Sequence, residues 1–303
     1  MKPTLKKYLQ IILKLLVSGV ALYYVLHNTD LAALKRLIFR SNLALLVAGM
    51  VFFILSKIIS SYRLNLFFRA KDIHISDRSN LKLYWLGMFY NLFLPGGVGG
   101  DGYKVYYLNR NMGTPVKKGL LVIFFDRVTG LFALVMLCLV FAFFMPDFVR
   151  PYQIAVIIVC SILLFYYVVY KWFGDFFKVL NKTNVQSFGV QIAQLICAWL
   201  ILRAMGHEAQ ATSYLFVFLI SSVVAVIPFT IGGVGARELT FLYASDLLSL
   251  DLATAISLSL LFFMITALVS LAGIIYVIKP ELINQSVLQS QPDPVNDEID
   301  RSA

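Results

Sequence analysis

The chain of 303 residues is 60% hydrophobic and 14% charged, with a mean hydropathy of +0.81, against about 45–50% apolar and about 25% charged in soluble globular proteins. That composition points to an all-α polytopic membrane protein and excludes a secreted disulfide scaffold, a nucleic-acid-binding domain and a soluble enzyme on a small anchor. The net charge of +10 does not require nucleic acid as a partner, because Lys and Arg in a membrane protein first report which loops stay in the cytoplasm.

A hydrocarbon core of about 30 Å needs about 20 apolar residues of helix. The first such run is 8–26, preceded by Lys2, Lys6 and Lys7. Lys14 interrupts it and no small-residue cleavage site follows, so it reads as a retained span rather than a cleaved signal. A stretch carrying Lys35, Arg36 and Arg40 comes next and reads as an amphipathic helix on the outer surface. The second span is 43–62, where Lys57, and Arg63 at its end, read as side chains that snorkel to the interface.

The apolar run 81–94 is too short to cross and ends in Pro95-Gly96-Gly97-Val98-Gly99-Gly100. Spans 118–145, 152–171 and 188–204 follow. The run 212–227 is again short and ends in Pro228, with Ile231-Gly232-Gly233-Val234-Gly235 behind it; 253–278 is the last span. Six full crossings are therefore expected, together with two re-entrant broken helices at 81–108 and 212–248. The polar tail 281–303 reads as disordered and cytoplasmic.

With a cytoplasmic N-terminus, segments 1–8, 63–82, 102–118, 171–187 and 279–303 hold 17 of the 26 Lys and Arg, and the outer segments hold 6. The bias places both termini in the cytoplasm. Cys138, Cys160 and Cys197 all fall within spans, so each reads as a buried structural thiol.

Shifting the sequence on itself by 133 residues superposes the two glycine motifs without a gap. Pro95 falls on Pro228, Gly99 on Gly232, Gly100 on Gly233, Gly102 on Gly235 and Lys104 on Arg237, so both copies read P-x-x-x-G-G-x-G-x-[KR]. Two halves result, 1–145 and 146–280. Each has three crossings and one re-entrant segment, and an odd number of crossings inverts the second half relative to the first. Inverted repeats with broken helices meeting near the midplane are a transporter architecture.

Non-helical backbone at membrane depth must be buried in protein or face a water-filled cavity. Glycine amides at such a turn can cradle an anion, or the glycines can serve only close helix packing; both readings stand. Charges inside spans face the protein interior or a cavity. Asp101 and Lys104 flank the first turn, Arg237 and Glu238 flank the second, and Asp126-Arg127 lies within Phe124-Phe125 and Val128-Thr129-Gly130-Leu131. These charges either bind substrate or form static ion pairs that lock the halves together. Asn91, one turn before Pro95, is placed to bond freed backbone groups. His27, His74 and His207 form no cluster with metal-ligand spacing, and the aromatic residues Tyr84, Trp85, Tyr166, Tyr167 and Trp172 read as interfacial belts and lipid-facing surface. No nucleophile elbow, P-loop or metal motif is present, and no cofactor is expected.

The combination of Asn91-Leu92-Phe93-Leu94-Pro95-Gly96 with Gly99-Gly100-Asp101-Gly102, then Asp126-Arg127-Val128-Thr129-Gly130-Leu131, then Pro228-Phe229-Thr230-Ile231-Gly232-Gly233-Val234-Gly235-Ala236-Arg237-Glu238, resembles the flippase-like membrane family, which includes the transmembrane region of lysylphosphatidylglycerol synthase/flippase proteins. The resemblance covers about 5–280. It implies movement of a phospholipid or lipid-linked headgroup across the cytoplasmic (inner) membrane of a bacterium or archaeon. The fused members continue into an aminoacyl-transferase domain, whereas here only a short polar tail follows Lys279, so aminoacyl-tRNA-dependent synthesis is not expected of this chain.

The expected function is a lipid translocase in which Lys104, Arg127 and Arg237 attract the lipid phosphate and Asp101, Asp126 and Glu238 balance them. A membrane-embedded lipid-modifying enzyme or accessory subunit, and an ion-coupled small-solute transporter using Asp126 or Glu238, are the alternatives. The partners compatible with the leading reading are a phospholipid or lipid-linked substrate, the membrane itself, a separate lipid-modifying enzyme and a second copy of the chain; nucleic acid is not among them.

Overall fold

The computed structural model describes residues 23, 31–93, 99–145, 150–226 and 235–283. Every regular element among them is helical. In chain order these are α1 (Leu31–Arg40), α2 (Leu43–Arg69), α3 (Asp77–Phe93), α4 (Gly99–Met112), α5 (Val116–Phe143), α6 (Pro151–Trp172), α7 (Gly174–Phe177), α8 (Leu180–Ala204), α9 (Ala211–Val226), α10 (Ala236–Leu248), α11 (Leu252–Leu271) and α12 (Ile274–Ile278).

Among the described residues five stretches are long and apolar enough to cross a membrane: α2, α5, α6, α8 and the stretch Leu252–Ile278 formed by α11 and α12. The span expected at 8–26 and the tail from 284 onward lie outside the described residues. Two of the five run further than their apolar windows suggest. The window of α2 stops at Arg63 and that of α8 begins only at 188, because polar residues lower the local hydropathy. Those polar residues nevertheless bond inside the bundle, so the helices continue.

Local chemistry fixes several helix starts. Asn42 caps α2, its side-chain oxygen accepting from the amides of Ala44 at 3.0 Å and Leu45 at 3.4 Å. Asp251 caps α11 and accepts from the amide and hydroxyl of Thr254 at 2.8 and 2.6 Å. Each such cap contributes about 1 kcal/mol. Pro151 opens α6, where its missing N–H costs no helical bond.

Helices α2 and α8 pack extensively against each other. Gly49 permits the approach: a Cβ there would lie 3.5 Å from the Cys197 carbonyl oxygen. In lipid such contacts hold helices together through close packing rather than water exclusion. Two aromatic clusters fill the bundle. Phe53, Phe218 and Phe262 meet edge to face, with centroids 5.5 and 4.7 Å apart. Phe67, Phe125 and Phe176 form the other, at 4.4 to 5.5 Å.

Helices α3 and α4 fold into an antiparallel hairpin. Tyr90 stacks near Tyr103 with centroids 4.7 Å apart, and nearer the open end Tyr84 meets Lys104 at 4.3 Å. Helix α9 packs on α10 in the second half; α5 lies against α9 and α11 against α3. Helix α6 stands at the periphery, with Val156, Leu163, Leu164 and Tyr167 exposed. For that reason Cys160 is exposed rather than buried, while Cys197 is buried and Cys138 half-buried; all three are free thiols.

Trp85 and Tyr84 also depart from the expected lipid-facing belt. Helix α3 is covered by α2, α4, α11 and α12, so Trp85 is half-buried rather than exposed and its indole N–H donates to the Val269 carbonyl at 3.2 Å. That bond lies one turn before Gly273, between α11 and α12, whose lack of a Cβ lets the Trp85 backbone carbonyl approach.

Candidate functional site

Three groups of charged side chains lie among the spans. The first holds helices together. Arg63 of α2 donates from Nε and Nη2 to the two oxygens of Asp126 on α5, at 2.8 and 3.1 Å, and from Nη1 to the Ser187 hydroxyl on α8 at 2.8 Å. Arg63 is 5% exposed and Asp126 8%, so Arg63 does not snorkel. The reason is a fork of guanidinium donors whose geometry matches a carboxylate. Gly130, one turn past Asp126, leaves room for the guanidinium: a Cβ there would meet Nη1 at 3.2 Å.

The second group stands at the start of α4. Asp101 accepts from Lys104 at 3.1 Å through one oxygen and from the Arg127 Nε at 2.5 Å through the other. Lys104 is 5% exposed and its ammonium lies over the Tyr84 ring. The sequence neighbours Asp126 and Arg127 therefore serve different partners, since adjacent residues of a helix point about 100° apart. Asn91 bonds a freed backbone group as its position suggested: its oxygen accepts the Gly100 amide at 2.8 Å, one of the amides a helix start leaves without an internal partner. Gly100 is needed on packing grounds too, because a Cβ there would stand on the Gly87 backbone.

The third group surrounds a cavity of about 130 Å³, walled by Phe53 and Lys57 of α2, Gln194 of α8, Arg237 and Glu238 of α10, and Phe262, Phe263 and Thr266 of α11. Gly235 precedes α10 with a φ of 88°, a left-handed conformation that glycine adopts without strain. This turns the chain so that Arg237 and Glu238 stand in the first turn of the helix. Glu238 is 1% exposed; one oxygen accepts the Gly235 amide at 2.7 Å and the other the Ser259 hydroxyl at 2.8 Å. A carboxylate in a first turn is favoured by the helix dipole. Arg237 donates to the Ser222 hydroxyl at 3.1 Å and lies over the rings of Phe218 and Phe262, 5.4 and 5.0 Å from their centroids.

Of the expected site residues, Asn91, Gly99, Gly100, Asp101 and Lys104 gather at the α3–α4 hairpin with Arg127, whereas Gly235, Arg237 and Glu238 stand at the cavity. Asp126 faces Arg63. Pro95, Gly96, Pro228, Gly232 and Gly233 lie outside the described residues. Sequence reasoning passed over Gly87, Ser187, Gln194, Ser222 and Ser259, and it assigned Lys57 to the interface. The available signal was a polar or very small residue within an otherwise apolar helix, which a window average dilutes.

These features define a multi-pass helical membrane protein with a polar cavity among its spans. The chain belongs to the family described as lysylphosphatidylglycerol synthase TM region, whose model matches residues 11–273. That membership ties it to membrane lipid. No curated protein and no solved structure matches the chain.

Proposed function

We propose that the chain is a lipid translocase built from two inverted repeats, moving a phospholipid or lipid-linked headgroup across the cytoplasmic membrane with both termini in the cytoplasm. The observation that carries this reading is the cavity whose wall includes Arg237 and Glu238 and draws on helices from both halves. Charged side chains at membrane depth are costly, and they mark substrate paths when they face a cavity.

The helix pattern supports the repeat. Under the shift of 133 residues, α2, α3, α4 and α5 fall on α8, α9, α10 and α11, and each pair that touches among the first four has a touching counterpart among the second four. The short α3–α4 and α9–α10 pairs take the place of the two re-entrant segments. On this reading the ends of the hairpins, at Asn91, Gly99 and Gly100 and at Gly235, face the headgroup. The cluster of Asp101, Lys104 and Arg127 receives it on one side, and Arg237 with Glu238 on the other.

The test is headgroup transfer in proteoliposomes. Transfer of a labelled anionic phospholipid is expected from the wild type and a fall of about tenfold or more from Arg237→Ala, since a lost hydrogen bond to a charged group costs about 1.5–3 kcal/mol. Wild-type protein that alters the lipid chemically, or that carries only soluble solutes down an ion gradient, would replace the proposal with one of its alternatives.

A further inference from the structure

Lys57 lies near the middle of the 27 residues of α2, about 20 Å from either end at a rise of 1.5 Å per residue. Its ammonium rests on the Phe53 ring, 4.5 Å from the centroid, and faces the same cavity as Arg237. Neither cation forms an ion pair with a carboxylate among the described residues, and residues 227–234, between α9 and α10, contain no Asp or Glu. Glu238 is the cavity's carboxylate, and both of its oxygens already accept hydrogen bonds from Gly235 and Ser259.

Among the described residues the wall therefore carries two positive charges and one negative. An uncompensated charge buried in protein at membrane depth is costly, so a monoanion entering the cavity removes a penalty as well as making bonds. We infer that Lys57, Arg237 and Gln194 form a binding site for a single phosphodiester group. The charges match, because a phosphodiester carries one negative charge. The donors match as well: ammonium, guanidinium and carboxamide each present several N–H groups to phosphate oxygens. So does the size, since about 130 Å³ is close to the cavity of about 150 Å³ that accommodates a benzene molecule, which is room enough for a phosphate. The Arg63–Asp126 pair, by contrast, is already neutral.

This rests on the translocase reading of the same cavity and names the group that is recognised there. The test uses the purified full chain in detergent, with thermal unfolding read against dihexanoyl phosphatidylglycerol, dihexanoylglycerol and inorganic phosphate, because a ligand of the native state raises the midpoint by mass action. The phosphodiester lipid is expected to stabilise the wild type saturably and dihexanoylglycerol not to. Lys57→Gln and Gln194→Leu should each raise the half-effect concentration, Lys57→Gln by about tenfold, while Lys57→Arg stays near wild type. Wild-type response in both weakened variants, or equal stabilisation by dihexanoylglycerol, overturns the site. Stabilisation by inorganic phosphate alone, with the same dependence on Lys57, keeps the phosphate site and overturns the lipid as its source. Lys57-dependent lipid binding without headgroup transfer in proteoliposomes overturns the translocase reading alone; transfer without Lys57-dependent binding overturns the site alone.

Discussion

The guanidinium of Arg63 meets both carboxylate oxygens of Asp126, at 2.8 and 3.1 Å, while its remaining nitrogen reaches Ser187 on a third helix. One side chain thus joins α2, α5 and α8. Breaking a buried pair strands its partner, at about 3–5 kcal/mol, whereas replacing both members with apolar residues is often neutral. Arg63→Met and Asp126→Leu should each lower the unfolding midpoint in detergent, and the double variant should recover most of the loss. A double variant as unstable as the sum of the two would show that the pair is not the source of the effect.

Asp101 stands between two cations, and Lys104 is almost wholly buried. Asp101→Ala is therefore expected to destabilise more than Lys104→Met, because the first leaves a buried ammonium without its carboxylate and the second leaves Asp101 still paired with Arg127. Parallel denaturation curves of the two variants would decide the order.

The glycines of the hairpin separate by packing. A Cβ at Gly100 would overlap the Gly87 carbonyl, whereas one at Gly102 would meet nothing within 4 Å. Gly100→Ala should force α3 and α4 apart and lower stability by about 1–3 kcal/mol, and Gly102→Ala should fold like the wild type. Near-equal unfolding of these two variants would contradict the close approach of the helices.

Away from the spans, Lys71 pairs with Asp175 at 2.5 Å. The hydrogen bond and charge of the ammonium hold the Asp175 carboxyl below its usual range. A depressed carboxyl contributes stability above its unfolded pKa of about 3.9 and loses it as the pH falls through the folded value. The gap between wild type and Asp175→Asn should thus be small and salt-sensitive at neutral pH and close in acid. A gap that widens on acidification would reverse the assignment.

Much of the framework was legible along the chain. Runs of apolar residues marked the crossings, since only a continuous helix of that length satisfies its backbone in lipid. Lys35, Arg36 and Arg40 announced α1, and Asn91 announced a bond to freed backbone. The polar ends of α2 and α8 were not legible, because hydropathy records what a residue costs in lipid and not the partner it finds in the bundle. Arg63 reads as an interfacial cation until Asp126, distant in sequence, is brought beside it.

The sequence by itself determined that this is a helical membrane protein, which family it belongs to, and where the chain's few charges stand along it. Only the tertiary structure decided which of those charges are neutralised. Asp126 was claimed by Arg63 and Asp101 by Lys104 and Arg127, while Lys57 and Arg237 were left facing a shared cavity. The physical reason is that pairing depends on which helix faces are packed together, and charges adjacent in sequence point in different directions from a helix.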